Sequence, residues 1–130
     1  MAIIEGTTAV KTWVGEYDFA VDGGVVGTIA LRGVGAASGP IPNGAVVYDG
    51  YLEMLTALSG GTSTGALQVE AANDTVNQAA TTGAPWSTTG VKSIIQTGAG
   101  ANAVKTTAAR SPSFVIGTAN LTQGKFRLVL

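Results

Sequence analysis

The side chains of this sequence able to make or break bonds are eight carboxylates, four lysines and three arginines, with neither histidine nor cysteine. Without histidine, no Ser–His–Asp or Cys–His nucleophile can be assembled. No serine stands three residues before a lysine, which removes the S-x-x-K acyl-transfer arrangement. Zinc is disfavoured because carboxylates would have to supply every strong ligand. Two options remain: a glycosidase-type carboxylate pair drawn from Glu16, Asp18, Asp22, Asp49, Glu53 and Glu70, or a calcium shared by Asp18 and Asp22. Acids on alternating strands usually face water, and neither EF-hand spacing nor another dense oxygen cluster accompanies the second pair. The expectation is a protein that is not an enzyme, with no cofactor and no metal.

Other motifs dissolve in the same way. Gly98–Ala103 fits G-x-G-x-x-A, but no helix pattern follows and no acid occurs after Asp74 to hold a ribose, so it reads as a turn. Asn73-Asp-Thr75 and Asn120-Leu-Thr122 fit the glycosylation pattern. With no basic and apolar leader visible in Met-Ala-Ile-Ile-Glu-Gly, both read as turn residues. Trp13 and Trp86 are either sugar-stacking platforms or, more commonly for lone tryptophans, core or interface anchors.

The elements that must position these residues are strands. Helical periodicity is scarce, 19 glycines punctuate the chain, and β-branched residues recur in short runs between turn signals. Glu16–Val21 alternates, with Tyr17, Phe19 and Val21 in phase; Asp22-Gly23-Gly24 turns the chain, and Val25–Leu31 returns as a hairpin. Gly33–Gly44 is a loop. From Ala45 to Leu58 the apolar phase holds over both sides of Gly50, which predicts one long strand with a bulge there. Ser59–Gly65 turns, and Ala66–Glu70 returns with Leu67 and Val69 on one face. Ala71–Gly90 is a long connection, with one helical turn at Asp74–Ala80 capped by Asp74 as an option. Val91–Gln96 and Ala103–Thr107 flank a Gly98–Gly100 turn. Phe114–Gly117 and Lys125–Leu130 form a final hairpin. The expectation is one all-β domain over residues 1–130, an antiparallel β-sandwich, jelly-roll-like, of about eight strands.

Composition narrows the partners. Only 12% of residues are charged, where about 25% is usual. A surface of Gly, Ala, Ser and Thr costs little to desolvate, which suits a protein packed against neighbours. The net charge of −1 gives no strong grip on nucleic acid or an anionic membrane. The distribution is uneven: residues 1–74 hold all eight acids and two bases, and residues 75–130 hold five bases and no acid. This predicts either complementary patches between subunits or strands of the two halves interleaved in space. The absence of cysteine fits assembly in a reducing cytoplasm, and no stretch approaches the ~20 apolar residues of a bilayer span.

Three stretches carry a resemblance: Ile41–Leu58 (IPNGAVVYDGYLEMLTAL), Lys105–Arg110 (KTTAAR) and Val115–Arg127 (VIGTANLTQGKFR). They resemble, in order and in strand and turn pattern, small β-rich proteins encoded among the head genes of tailed bacteriophages. The likeness covers most of the chain from about Tyr17 onward. It implies a capsid decoration or cement protein, located on the capsid surface of the virion and assembled in the host cytoplasm. Its partners would be the major capsid protein and copies of itself, a trimer being favoured. Interface candidates on this reading are Trp13, Trp86, Lys125, Phe126 and Arg127, the last three on a strand available as a free sheet edge. Residues 1–12 read as a flexible arm that orders on binding or as a first strand. A tail- or fibre-associated carbohydrate-binding module, using Trp86 as its platform, is the alternative.

Overall fold

The computed structural model describes residues 10–35, 39–94 and 103–130. Within them, alternation of side chains decides which face each strand buries. Val14–Asp18 (β1) buries Gly15 and Tyr17 and leaves Val14, Glu16 and Asp18 half-exposed. Gln123–Val129 (β11) buries Gly124, Phe126 and Leu128 in the same rhythm. Ser113–Gly117 (β10) buries Phe114 and Ile116. The remaining strands are Gly27–Ala30 (β2), Arg32–Gly33 (β3), Val46–Val47 (β4), Tyr51–Ser59 (β5), Thr64–Gln68 (β6), Val76–Ala80 (β7), Gly90–Ser93 (β8) and Val104–Lys105 (β9), with one helical turn, Phe19–Asp22 (α1).

All pairings are antiparallel, and the sheets are open rather than closed into a barrel. One sheet runs β3-β1-β11-β5-β8, a second runs β2-β10-β6-β7, and β4 pairs with β9 in a small third ladder. The partners nest: β1 lies on β11, β2 on β10, β5 on β8 and β6 on β7. Two further pairings, β11 with β5 and β10 with β6, complete the sheets.

The inner faces of the two larger sheets meet in one core. At its centre Phe114, from the four-stranded sheet, lies 4.8 Å from Tyr17 and 5.0 Å from Phe126, both of the five-stranded sheet. Trp86, from the β7–β8 connection, stands 5.6 Å from Phe114 and 5.8 Å from Phe126. Each ring is fully buried, and tilted contacts of this kind add to the apolar area removed from water. Burial, with Asp22 and Asp18 nearby, pushes the Tyr17 phenol up to about 12. The neutral hydroxyl donates to the Gly23 carbonyl at 2.6 Å.

Several sequence expectations are corrected. The segments around Asp22-Gly23-Gly24 are not a hairpin, since β1 and β2 belong to different sheets. Asp18 accepts the Ala20 N–H at 2.9 Å and starts a helical turn that carries the chain from one sheet towards the other. Ala45–Leu58 is not one strand. Residues 48–50 belong to no strand and β4 goes to a separate ladder; Gly50 permits a close approach to Val129, whose carbonyl oxygen would stand 2.5 Å from a Cβ there. No helical turn forms at 74–80. The Asp74 carboxylate accepts the N–H groups of Val69, Glu70 and Ala71, which precede it, and so closes a turn that delivers β7 to β6. The final two strands also lie in different sheets, and β11 is interior to its sheet rather than a free edge. The expectations for residues 1–9 and for the Gly98–Gly100 turn lie outside the described residues, and residues 10–12 belong to no strand.

Phe126 touches three of the other rings, so truncating it opens a void that neighbouring strands cannot fill. Phe126→Ala is expected to cost about 3–5 kcal/mol of unfolding free energy, read as a lowered urea midpoint.

Candidate functional site

The end of the five-stranded sheet where β1 and β5 begin and β11 finishes is hollowed into an open groove of about 710 Å3. Trp13 lines it from the stretch just before β1. Its indole needs room, and Gly15 supplies it, because a Cβ there would fall 2.1 Å from the ring. The Trp13 Nε1–H donates to the Gly39 carbonyl at 2.9 Å, which pins the ring to the opposite loop. Ile41 is buried beside it, and Val10, Val46 and Tyr48 form exposed parts of the lining. Lys11 and Asp49 are the charged side chains of the lining.

One wall is held by the Lys105–Arg110 stretch. The buried Thr106 hydroxyl donates to the Pro42 carbonyl at 2.6 Å and accepts the Ala45 N–H at 3.0 Å. Thr106 also exchanges backbone hydrogen bonds with Gly44 and Ala45, and Arg110 does so with Ile41. The Arg110 guanidinium grips Glu70 through two bonds, Nε at 2.7 Å and Nη2 at 2.9 Å. Thr107 donates to the same carboxylate through its backbone N–H and its hydroxyl. The Arg110 hydrogen bonds first, then those from Thr107, hold Glu70 down at about 2. The Lys105–Arg110 stretch thus works as a buckle that ties the loop around Ile41–Ala45 to Glu70.

The other charged cluster lies on the outer side of β3, β1 and β11. Arg32, Glu16, Arg127 and Glu53 occupy successive cross-strand positions. Arg127 bonds Glu16 at 3.3 Å, Arg32 bonds Asp22 at 2.8 Å, and Lys125 lies 3.5 Å from Asp18. The oxygens of Asp18 and Asp22 are therefore engaged by N–H groups and cations of the chain itself. Exposed pairs of this kind contribute only about 0.2–1 kcal/mol each; their larger effect is to neutralise the face. The halves of the sequence interleave, since Glu16, Asp18 and Glu70 find Arg127, Lys125 and Arg110. No strand of the four-stranded sheet carries a charged residue.

The structure separates the five interface candidates. Trp86 and Phe126 are fully buried in the core and present no surface. The Trp86 indole N–H finds no acceptor among the described residues, which fits a ring used for its bulk. Lys125 and Arg127 belong to the paired outer face, and Trp13 alone of the five lines the groove. Sequence reasoning missed Val10, Val46 and Tyr48, because the phase that buries Leu52 and Met54 placed Val46 and Tyr48 inside with them. It also missed a second exposed apolar cluster, Val21, Val25 and Val26, around the turn after β1. No sequence signal distinguishes these valines from core valines.

No family model, curated protein or solved structure matches this chain. Among the described residues no helix is long and apolar enough to cross a membrane.

Gly15→Ala is expected to displace the Trp13 ring and cost about 1–3 kcal/mol. Acrylamide should then quench Trp13 more readily, with Trp86 still protected. The Glu70 clamp has its own pH signature. Its folded pKa lies below the ordinary 4.5, so its stabilisation is present above 4.5 and is lost as pH falls through about 2. Melting temperatures of the wild type and Glu70→Gln should differ at pH 6 and converge towards pH 2.

Proposed function

We propose that this chain is a structural protein of a virus particle, a decoration or cement protein that binds the outer capsid lattice as an oligomer and braces it by packing. The observation that carries the reading is the surface. Charges on the strands are largely matched within the chain, while bulky apolar side chains are left in water in the groove, at the turn after β1 and on β5 and β8, where Tyr51, Leu55 and Val91 are exposed. Such a surface gains free energy by losing water and has few ionic shells to strip. Repeated over a lattice by an oligomer, individually weak contacts sum to firm attachment.

We further propose that the body is a jelly-roll sandwich. Setting aside the three strands of two residues leaves eight among the described residues. Their pairings are first with eighth, second with seventh, third with sixth and fourth with fifth. That is the order obtained when one long antiparallel hairpin is rolled around a core, an architecture found in viral capsid and lectin domains. The fold class is an associational argument for a virion role; the surface is the physical one.

The same architecture leaves room for the second reading, a tail- or fibre-associated carbohydrate module. Trp86 cannot serve it, being fully buried, so Tyr48 in the groove would have to provide the stacking ring. A glycan array distinguishes the two, since the structural reading expects it to stay blank at high protein concentration.

The direct test adds purified chain to undecorated phage heads. Saturable binding and a raised temperature of DNA release are expected. Absence of binding, with an unchanged release temperature, would remove the capsid reading.

A further inference from the structure

An asparagine or aspartate followed by glycine is where a polypeptide can rearrange unaided, because glycine leaves its amide nitrogen uncovered by a side chain. The sequence holds three such pairs, Asp22-Gly23, Asn43-Gly44 and Asp49-Gly50. The structure treats them differently. The Gly23 N–H donates to the Phe19 carbonyl at 3.0 Å, and the Asp22 carboxylate is held by Arg32 at 2.8 Å and by the Asp18 N–H at 2.8 Å. The Gly44 N–H donates to the Thr106 carbonyl at 3.0 Å, inside the buckle that shapes the groove wall. The Gly50 N–H has one hydrogen-bond partner among the described residues, the Asp49 carboxylate itself, with Oδ1 at 2.8 Å. We propose that Asp49-Gly50 is a site of spontaneous isomerisation, at which the folded chain converts Asp49 to isoaspartate through a cyclic imide.

Geometry favours the step at this pair and opposes it at the other two. Oδ1 is bonded to Cγ, so the contact with Gly50 keeps the attacking nitrogen beside the carbon it must reach, and such proximity replaces a rare encounter with a standing one. Asp49 is exposed and makes no ion pair or second hydrogen bond among the described residues, so its carboxyl is free to turn. The bonds balance without oxidant or cofactor. The Gly50 nitrogen forms a bond to Cγ, a Cγ–O bond of the protonated carboxyl breaks, and that oxygen leaves as water with the amide proton. Water then opens the five-membered imide at one of its two carbonyls. Attack at Cγ restores aspartate, whereas attack at the main-chain carbonyl carbon of Asp49 leaves Gly50 joined through Cγ. The main chain then runs through the former side chain and is one methylene longer, with the carboxylate on the α-carbon. Residues 48–50 belong to no strand, so the extra methylene is taken up between β4 and β5, and Tyr51 keeps its place opposite Val129. At Asp22 the same change would break α1, and at Asn43 it would break the bond to Thr106. Asp49 and Gly50 line the groove, so isomerisation moves a charge and a stretch of wall beside Tyr48. The inference is independent of what the groove or the protein binds.

The test ages the full chain at pH 6, folded and, in parallel, unfolded in guanidinium chloride. Peptide mapping with electron-transfer fragmentation then measures isoaspartate at each of the three pairs, and circular dichroism checks that the folded sample stays folded. The unfolded chain supplies the intrinsic rate of each pair, so the ratio of folded to unfolded rate reports the structure alone. At Asp49 the folded rate is expected to equal or exceed the unfolded one. At Asp22 and Asn43 it is expected to fall about tenfold or more, since a hydrogen bond must open first. Asp49→Glu keeps the charge but lengthens the side chain beyond a five-membered ring, and should remove the product at this pair while leaving the other two unchanged. Slower ageing of Asp49 in the folded chain than in the unfolded one overturns the proposal. Suppression at the other two pairs no greater than at Asp49 does so as well. Isoaspartate appearing undiminished in the Asp49→Glu chain would assign the signal elsewhere and also overturn it.

Discussion

Four rings hold two sheets together, and most other features of this molecule follow from where they sit. Tyr17 and Phe126 project from neighbouring strands of one sheet, Phe114 projects from the other, and Trp86 fills the space left by the connection between β7 and β8. Because side chains alternate along a strand, committing these positions to the interior commits Glu16, Asp18, Lys125 and Arg127 to the outside. Their register, Glu16 opposite Arg127 and Asp18 opposite Lys125, then makes them pair. The ion pairs are a consequence of the core rather than a cause of the fold, in keeping with their exposure and modest energies.

The same geometry sorts charge in space. Seven charged residues lie on strands of the five-stranded sheet and none on strands of the four-stranded sheet. An uneven distribution along the chain thus becomes balanced on one face and absent from the other. Water is held weakly where neither ions nor unpaired backbone demand it, and a body built this way is suited to being covered. That property, more than any single residue, is what the proposed packing role rests on.

Strand ends, rather than strand faces, form the surface of most interest. The groove lies where β5 starts at Tyr51 and where Trp13 lies over Gly15. Its wall keeps its shape through the Thr106 and Arg110 contacts, which tie the stretches around residues 41–45, 70 and 105–110 to one another. The Lys105–Arg110 stretch therefore has a mechanical role, and the exposed Val46 and Tyr48 lie beside the loop that it ties down.

Much of the local structure was legible in the residues. The strand character of Tyr17, of Leu52 and Met54, of Leu67, and of the Phe114 and Phe126 segments is legible in the residues, and the chain turns between Ser59 and Thr64, within the stretch where the sequence places a turn. By itself the sequence determined the all-β class, the absence of imidazole and thiol chemistry, and an unusually uncharged surface. Only the tertiary structure decided which strands are partners, that Trp86 is core, that the two charged halves interleave, and that Val46 and Tyr48 are in water. The physical reason is that alternation reports which side of a strand is buried but carries no information about what lies across it. A glycine with positive φ serves a hairpin and a crossing between sheets equally well, and only contacts between residues far apart in the chain distinguish the two.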